Sequence, residues 1–356
     1  MKTWLKIICI LLLAYAVTMS LNQPLIPGGL EVDAEKVAPG ENTFTFVGYN
    51  THFDSPDLQV FVAVDSTSYF CAHVDQVIDN NHVRVTAVLP DTLSSRELSF
   101  YANTSSDGTI YIQKPIDVSA FAVVEGFKSP LACDVKVVND EHKGFGFPFQ
   151  VIIFESIRNL MWHVPMWFTM FVLMFISFMQ SIKVLNASGR ESGTDVSVDF
   201  KKVMRIDTKA AISASTGLLF CILGLITGSI WARFTWGAWW TNDPQLNGAL
   251  VVFLMYAAYF ILRNAMNDEE KRARLSAIFN IFAFILLVIL LMVMPRFAEG
   301  LHPGKSGNPA FSSYDLDSSL RSVFYPAVLG YILLGYWIYS LHLRIRTLEQ
   351  KNEEND

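Results

Sequence analysis

Five uncharged apolar stretches decide what this chain can become: Val164–Ile182, Ala210–Ala232, Leu246–Leu262, Leu275–Pro295 and Val323–Leu343. A bilayer core of roughly 30 Å takes about 17–25 residues of helix, and each stretch is long enough to cross it. A sixth, Trp4–Met19, is shorter. Its basic start (Lys2, Lys6) and Ala14-Tyr15-Ala16 leave two readings open, a retained anchor or a cleaved signal peptide. Charged residues make up only 17% of the 356 and mean hydropathy is +0.33, which excludes disorder and a wholly soluble chain. A net charge of −6 offers no basic face for nucleic acid.

Basic residues set the expected orientation. With the N-terminus inside, fifteen Lys and Arg face the cytoplasm, against Arg233, Arg296, Lys305 and Arg321 on the short outer loops. Both termini are therefore expected inside, Ser192 inside and Ser312 outside.

Residues 23 to about 145 read differently. Asn42–Tyr49, Leu58–Val64, His82–Leu89, Glu97–Ala102 and Thr109–Gln113 alternate apolar and polar side chains between Pro, Gly and Asp turns. The expected fold is an α-helical integral membrane protein with six transmembrane helices and an inserted extracytoplasmic all-β domain of immunoglobulin-like sandwich type. Its expected parts are an anchor or signal peptide (1–22), the β-domain (23–145), an interfacial amphipathic helix (146–163), a five-helix membrane domain (164–345) and a cytoplasmic tail (346–356). The amphipathic helix rests on Phe149, Ile152, Ile153, Ile157 and Leu160 at helical spacing within Phe147–Trp162. Cys71 and Cys133 fall in the oxidising compartment and can pair. His52, His73, His82 and His142 show no ligand spacing and read as surface histidines.

Three features converge on the outer face. His163 opens the second span, the loop Trp236-Gly-Ala-Trp239-Trp240-Thr-Asn-Asp243-Pro244 follows the third, and His302 follows the fifth. Each has an ordinary explanation: tryptophans anchor at membrane interfaces, and Asp243-Pro244 is a good start for a helix. Together they suit a flat, apolar, metal-centred ligand. Two imidazoles supply axial nitrogens to haem iron. Trp236, Trp239 and Trp240, three and four apart, are expected on one side of a helical turn. Arg233, Arg296 and Arg321 are the cations available to propionates.

These residues carry a resemblance. Thr227–Leu246, with Trp236-Gly-Ala-Trp-Trp240-Thr-Asn-Asp243-Pro, resembles the tryptophan-rich WWD signature of the cytochrome c assembly family. Within it, His163-Val164-Pro165 and Leu301-His302 are most similar to the CcmC branch. The resemblance covers about 151–345. It implies a bacterial inner-membrane protein that handles haem b as transient cargo, with the β-domain and the site on the periplasmic side. His163 and His302 are implied as axial ligands, beside Trp236, Trp239, Trp240 and Asp243. It further implies transfer, without an enzymatic reaction, to a CcmE-like haem chaperone, with CcmA, CcmB and CcmD-like ABC-type subunits as partners. Asn242 and Gln245 replace the family's usual aromatic and arginine, and the β-domain is not part of the usual plan. Two alternatives stand: a CcsA-like system II haem lyase component, which shares a tryptophan-rich loop, and a membrane-anchored sensor or binding protein acting through the β-domain. A proton-coupled carrier calls for ionisable residues within spans, and the cores of these spans show essentially none.

Overall fold

The computed structural model describes residues 1–33, 37–65, 68–112, 116–118, 120–133, 144–188, 200–302 and 316–353. Ser192, Ser312 and His142 lie outside them. The chain divides into two compact units, one of residues 1–22 with 156–356, the other of residues 23–155.

In the helical unit, six helices are long and apolar enough to cross a membrane, and the chain is a multi-pass membrane protein. They comprise α1 (Thr3–Asn22), α2 (Leu160–Ser188), α3 (Phe200–Trp236), α4 (Pro244–Asn264), α5 (Glu269–Val288) and α7 (Ser318–Glu353). Between α5 and α7, a π-helical turn, Ile289–Val293, leads into the short α6 (Met294–Phe297). Helices outrun their apolar cores: α3 begins ten residues before Ala210, and α7 carries on into the expected tail as far as Glu353.

α2 and α3 run antiparallel with their axes close. Side chains of α2 fill the space left by glycines of α3: a methyl group at Gly224 would lie 2.8 Å from Trp167 Cε2, and one at Gly228 would lie 2.6 Å from His163 Cε1. Met170, Leu173, Met174, Phe220, Tyr256, Tyr259 and Leu287 form the core, while Ile226, Leu254, Phe282 and Ile285 stay exposed on the outside, as lipid solvation permits. Small polar groups tie helices together: Ser213 Oγ donates to the Leu173 carbonyl (2.7 Å), and Asn280 Nδ2 donates to Ser177 (2.7 Å) and Ser181 (2.8 Å). Where α3 and α4 extend past their apolar cores, Arg263 Nη1 donates to Asp207 Oδ1 (2.8 Å).

The second unit is a sheet. β1 (Gly28–Asp33), β2 (Gly40–Tyr49), β3 (Gln59–Ala63), β4 (Tyr69–Asp79), β5 (His82–Leu89), β7 (Glu97–Thr104) and β8 (Gly108–Tyr111) pair antiparallel in the order β1-β2-β5-β4-β3-β7-β8. The short β6 (Thr92–Leu93) and β10 (Ala122–Val123) pair apart, and β9 (Ile116–Asp117) pairs with β7. An immunoglobulin-like sandwich divides its strands between two facing sheets. Here they form one sheet, nearly closed by a bridge between Gly29 and Ile112, and its inner face encloses Phe44, Phe46, Phe70, Val85, Phe100 and Ile110. Closure removes the edges that a flat sheet would expose. Cys71 and Cys133 form a disulfide.

The expected amphipathic helix is corrected. Only Phe154–Asn159 is helical before α2, as a 3₁₀ turn. Phe147 exchanges backbone hydrogen bonds with Pro24 and Ile26, and Phe149 stacks on Tyr49, so these apolar side chains are buried by the β-unit itself.

Candidate functional site

Asp243 stands at the head of α4 in an extended conformation, with Pro244 opening the helix. Its Oδ1 accepts the N–H groups of Gln245 (2.9 Å) and Leu246 (3.2 Å), the ordinary work of a cap. The same carboxylate reaches the segment after α6. Leu301 N donates to Oδ2 (2.6 Å), and His302 Nδ1 lies 2.8 Å from Oδ1. An ionised carboxylate only accepts, so Nδ1 carries the proton and Nε2 is left as the basic nitrogen on the far side of the ring. Asp243 is buried. Burial alone would raise its pKa, but the His302 and Leu301 hydrogen bonds outweigh it and hold the carboxyl well below the usual carboxylate range. Gly300 is required by this approach, since a methyl group there would lie 2.6 Å from Asp243 Oδ2.

His163 lies in the first turn of α2, half-buried, against Gly228. Its Nδ1 is 3.1 Å from Thr227 Oγ1, and its Nε2 accepts from Trp167 Nε1 at 3.3 Å. Trp231 meets the imidazole edge-on, with ring centroids 5.7 Å apart. His163 meets Trp231, and His302 meets Trp236 at the end of the same helix, so both imidazoles lie against the last turns of α3.

Trp236 ends α3, and its ring meets His302 edge-on at 5.1 Å between centroids. The helix stops there because Gly237 adopts φ +75°, and Arg233 donates to its carbonyl. Trp239 and Trp240 therefore lie in a loop, which corrects the expectation of three rings on one helical turn. Trp239 is 60% exposed and its carbonyl accepts from Ser229 Oγ (2.8 Å). Trp240 Nε1 donates to Asn247 Oδ1 (3.2 Å), whose amide donates to Asn242 (2.8 Å). The site thus gathers an oriented imidazole, a second imidazole and an aromatic wall.

Trp167, Thr227 and Trp231 were missed by sequence reasoning. Trp167 had a readable signal, one helical turn after His163 on a face matched by Gly224 and Gly228. Elsewhere, His52 pairs with buried Asp107 (2.7 Å) and His82 with Asp79 (2.9 Å). Among the described residues no group of three or more His, Cys, Asp or Glu side chains could hold a metal ion.

Comparison with known proteins bears on residues 151–302, which match the model of the family described as Cytochrome C assembly protein. The chain is 29% identical over 138 residues to heme exporter protein C of Paracoccus denitrificans, covering 39% of this chain and 56% of that one. It is 29% identical over 140 residues to heme exporter protein C of Rhodobacter capsulatus, with the same coverage of 39% and 56%. Cytochrome c biogenesis protein CcsA of Prochlorococcus marinus (strain NATL1A) is 32% identical over 127 residues, 35% of this chain and 39% of that one. The chain spans about half the length of the first of these curated relatives (56%). The matched segment is the one that carries His163, the tryptophan loop, Asp243 and His302.

Proposed function

We propose that this protein binds haem at the outer face of a bacterial cytoplasmic membrane, between His163 and His302, and hands it to a CcmE-like chaperone for cytochrome c maturation. Haem is cargo in this reading, and the protein transfers it without an ATPase motif or enzymatic step of its own. CcmA, CcmB and CcmD-like subunits are the partners that drive release.

The observation that carries the reading is the Asp243–His302 hydrogen bond at 2.8 Å. Histidines that bind metals almost always donate their other ring N–H to a carboxylate or carbonyl, which fixes the ring and raises its basicity. Trp236 beside His302 supplies apolar surface that excludes water from the iron. The disulfide of the β-unit favours an exported, oxidising location for it. Trp239 and Trp240, on the loop, offer faces to the haem edge, and Arg296 or Arg321 to a propionate.

The test is a haem spectrum of the purified protein. His163→Ala and His302→Ala should each lower haem occupancy or alter the Soret band, while His342→Ala should change neither. Full retention with an unaltered spectrum in the double variant of His163 and His302 overturns the reading. A second reading, direct attachment of haem to an apocytochrome, is favoured by the CcsA relatives, which match at 32% identity over 127 residues. Transfer to an apocytochrome without a chaperone would select it.

A further inference from the structure

We propose that the Trp167 indole caps the iron-binding lone pair of His163, making His163 the exchangeable ligand of the pair and His302 the standing one. This rests on the haem-binding reading above and concerns how that site lets its cargo go.

The hydrogen bonds around His163 admit one arrangement. An indole N–H only donates, so Nε2, 3.3 Å from Trp167 Nε1, is the acceptor nitrogen. Nδ1 then carries the proton and donates to Thr227 Oγ1 at 3.1 Å. The Thr227 hydroxyl is free to accept because its own proton goes to the Leu223 carbonyl, 2.8 Å away. Every group in the chain is consistent with its neighbour. The result is a neutral imidazole whose ligating nitrogen is already engaged.

His302 is built the opposite way. Its Nδ1 proton goes to a buried anion, which strengthens Nε2 as a ligand. The proton of His163 goes to a neutral hydroxyl, and its Nε2 must give up an indole to meet iron. Ligation at His163 is therefore an exchange. The Nε2 lone pair leaves the Trp167 N–H and bonds iron; on release the Fe–N bond breaks, the N–H···N contact re-forms, and iron keeps His302. The indole is held ready by α3, where Gly224 leaves room for it and Gly228 for the imidazole. A carrier that must surrender its cargo needs one weak ligand, and Trp167 supplies the weakness without altering the histidine.

Ferric haem titrated into the purified full-length protein tests this. Trp167→Phe removes the N–H and keeps a ring against Gly224. The ratio of six-coordinate low-spin to five-coordinate haem should rise about fivefold, the equivalent of one net hydrogen bond, and imidazole should displace the protein ligand correspondingly more slowly. In a His163→Ala background the same substitution should be silent. Gly224→Ala, which pushes the indole aside while leaving its N–H intact, should move the ratio in the same direction. If His163→Ala still lowers the coordination number while Trp167→Phe and Gly224→Ala both leave ratio and exchange unchanged, the cap is overturned and the haem site stands. If neither histidine variant alters the spectrum, the haem-binding reading falls, and the cap with it.

Discussion

Asp243 and His302, fifty-nine residues apart, share one hydrogen bond that joins the start of α4 to the segment leaving α6. The carboxylate that caps a helix is also the group that aims an imidazole.

Asp243→Asn separates these two jobs. Asparagine caps about as well as aspartate, so helix α4 and thermal stability should change little. The anionic partner of His302 is lost, and haem affinity should fall about 10–100-fold, the usual cost of removing such a partner. Calorimetric or spectroscopic titration with haem checks this; unchanged affinity would reduce Asp243 to a cap.

Trp236, Trp239 and Trp240 should not behave alike. Trp236 meets His302 edge-on, so Trp236→Ala should shift the Soret band. Trp239, 60% exposed, should leave the spectrum in place and affect transfer to the chaperone or anchoring instead. Equal effects from both, or normal haem binding and maturation after all three become Phe, would favour a generic interfacial belt.

Arg263 and Asp207 form an ion pair with side chains 13% and 2% exposed. Removing one partner of such a pair strands the other, so Asp207→Asn or Arg263→Met alone should cost about 3–5 kcal/mol. The double variant should recover most of it. Melting curves in detergent for the two singles and the double measure the coupling; additive losses would deny it.

The Cys71–Cys133 disulfide gives a test of sidedness. Glu125→Cys should react with an impermeant maleimide in intact cells, and Asn267→Cys, between α4 and α5, only after permeabilisation. Replacing both native cysteines by Ser should cost the β-unit about 2–5 kcal/mol. The reverse labelling pattern would put the β-unit and the proposed haem site on the cytoplasmic side.

The spans were legible because their apolar runs are long and free of charge, a property local to each. The strands β2, β3, β5, β7 and β8 were legible from alternation, whereas β4, exposed along most of its length, carries little alternation to find. Whether strands close into one sheet or stack as two is decided by pairings such as Gly29 with Ile112, and no local pattern encodes that. Phe147 and Phe149 sit at helical spacing with residues that do enter a helix, and a wheel does not say which partner buries a face. His163, His302 and the tryptophans were individually visible. The bond between Asp243 and His302 was not, because capping explained the aspartate completely from its own neighbours. The run from Trp236 to Trp240 has helical spacing, but Gly237 turns the chain with positive φ and no spacing pattern encodes that.

The π-helical turn at Ile289–Val293 lengthens α5 by a residue that an α-helix of the same rise would not hold. A single deletion within it removes that extra residue and restores α-helical winding with the downstream register kept. A second deletion has no spare residue to remove and swings everything downstream by roughly 100° about the helix axis, so that Pro295, Gly300 and His302 arrive on the wrong side of Asp243. Loops of such proteins ordinarily tolerate gains and losses of residues, but chain length here is metered: this turn can give up one residue and keep the imidazole in reach, and losing a second should take it away.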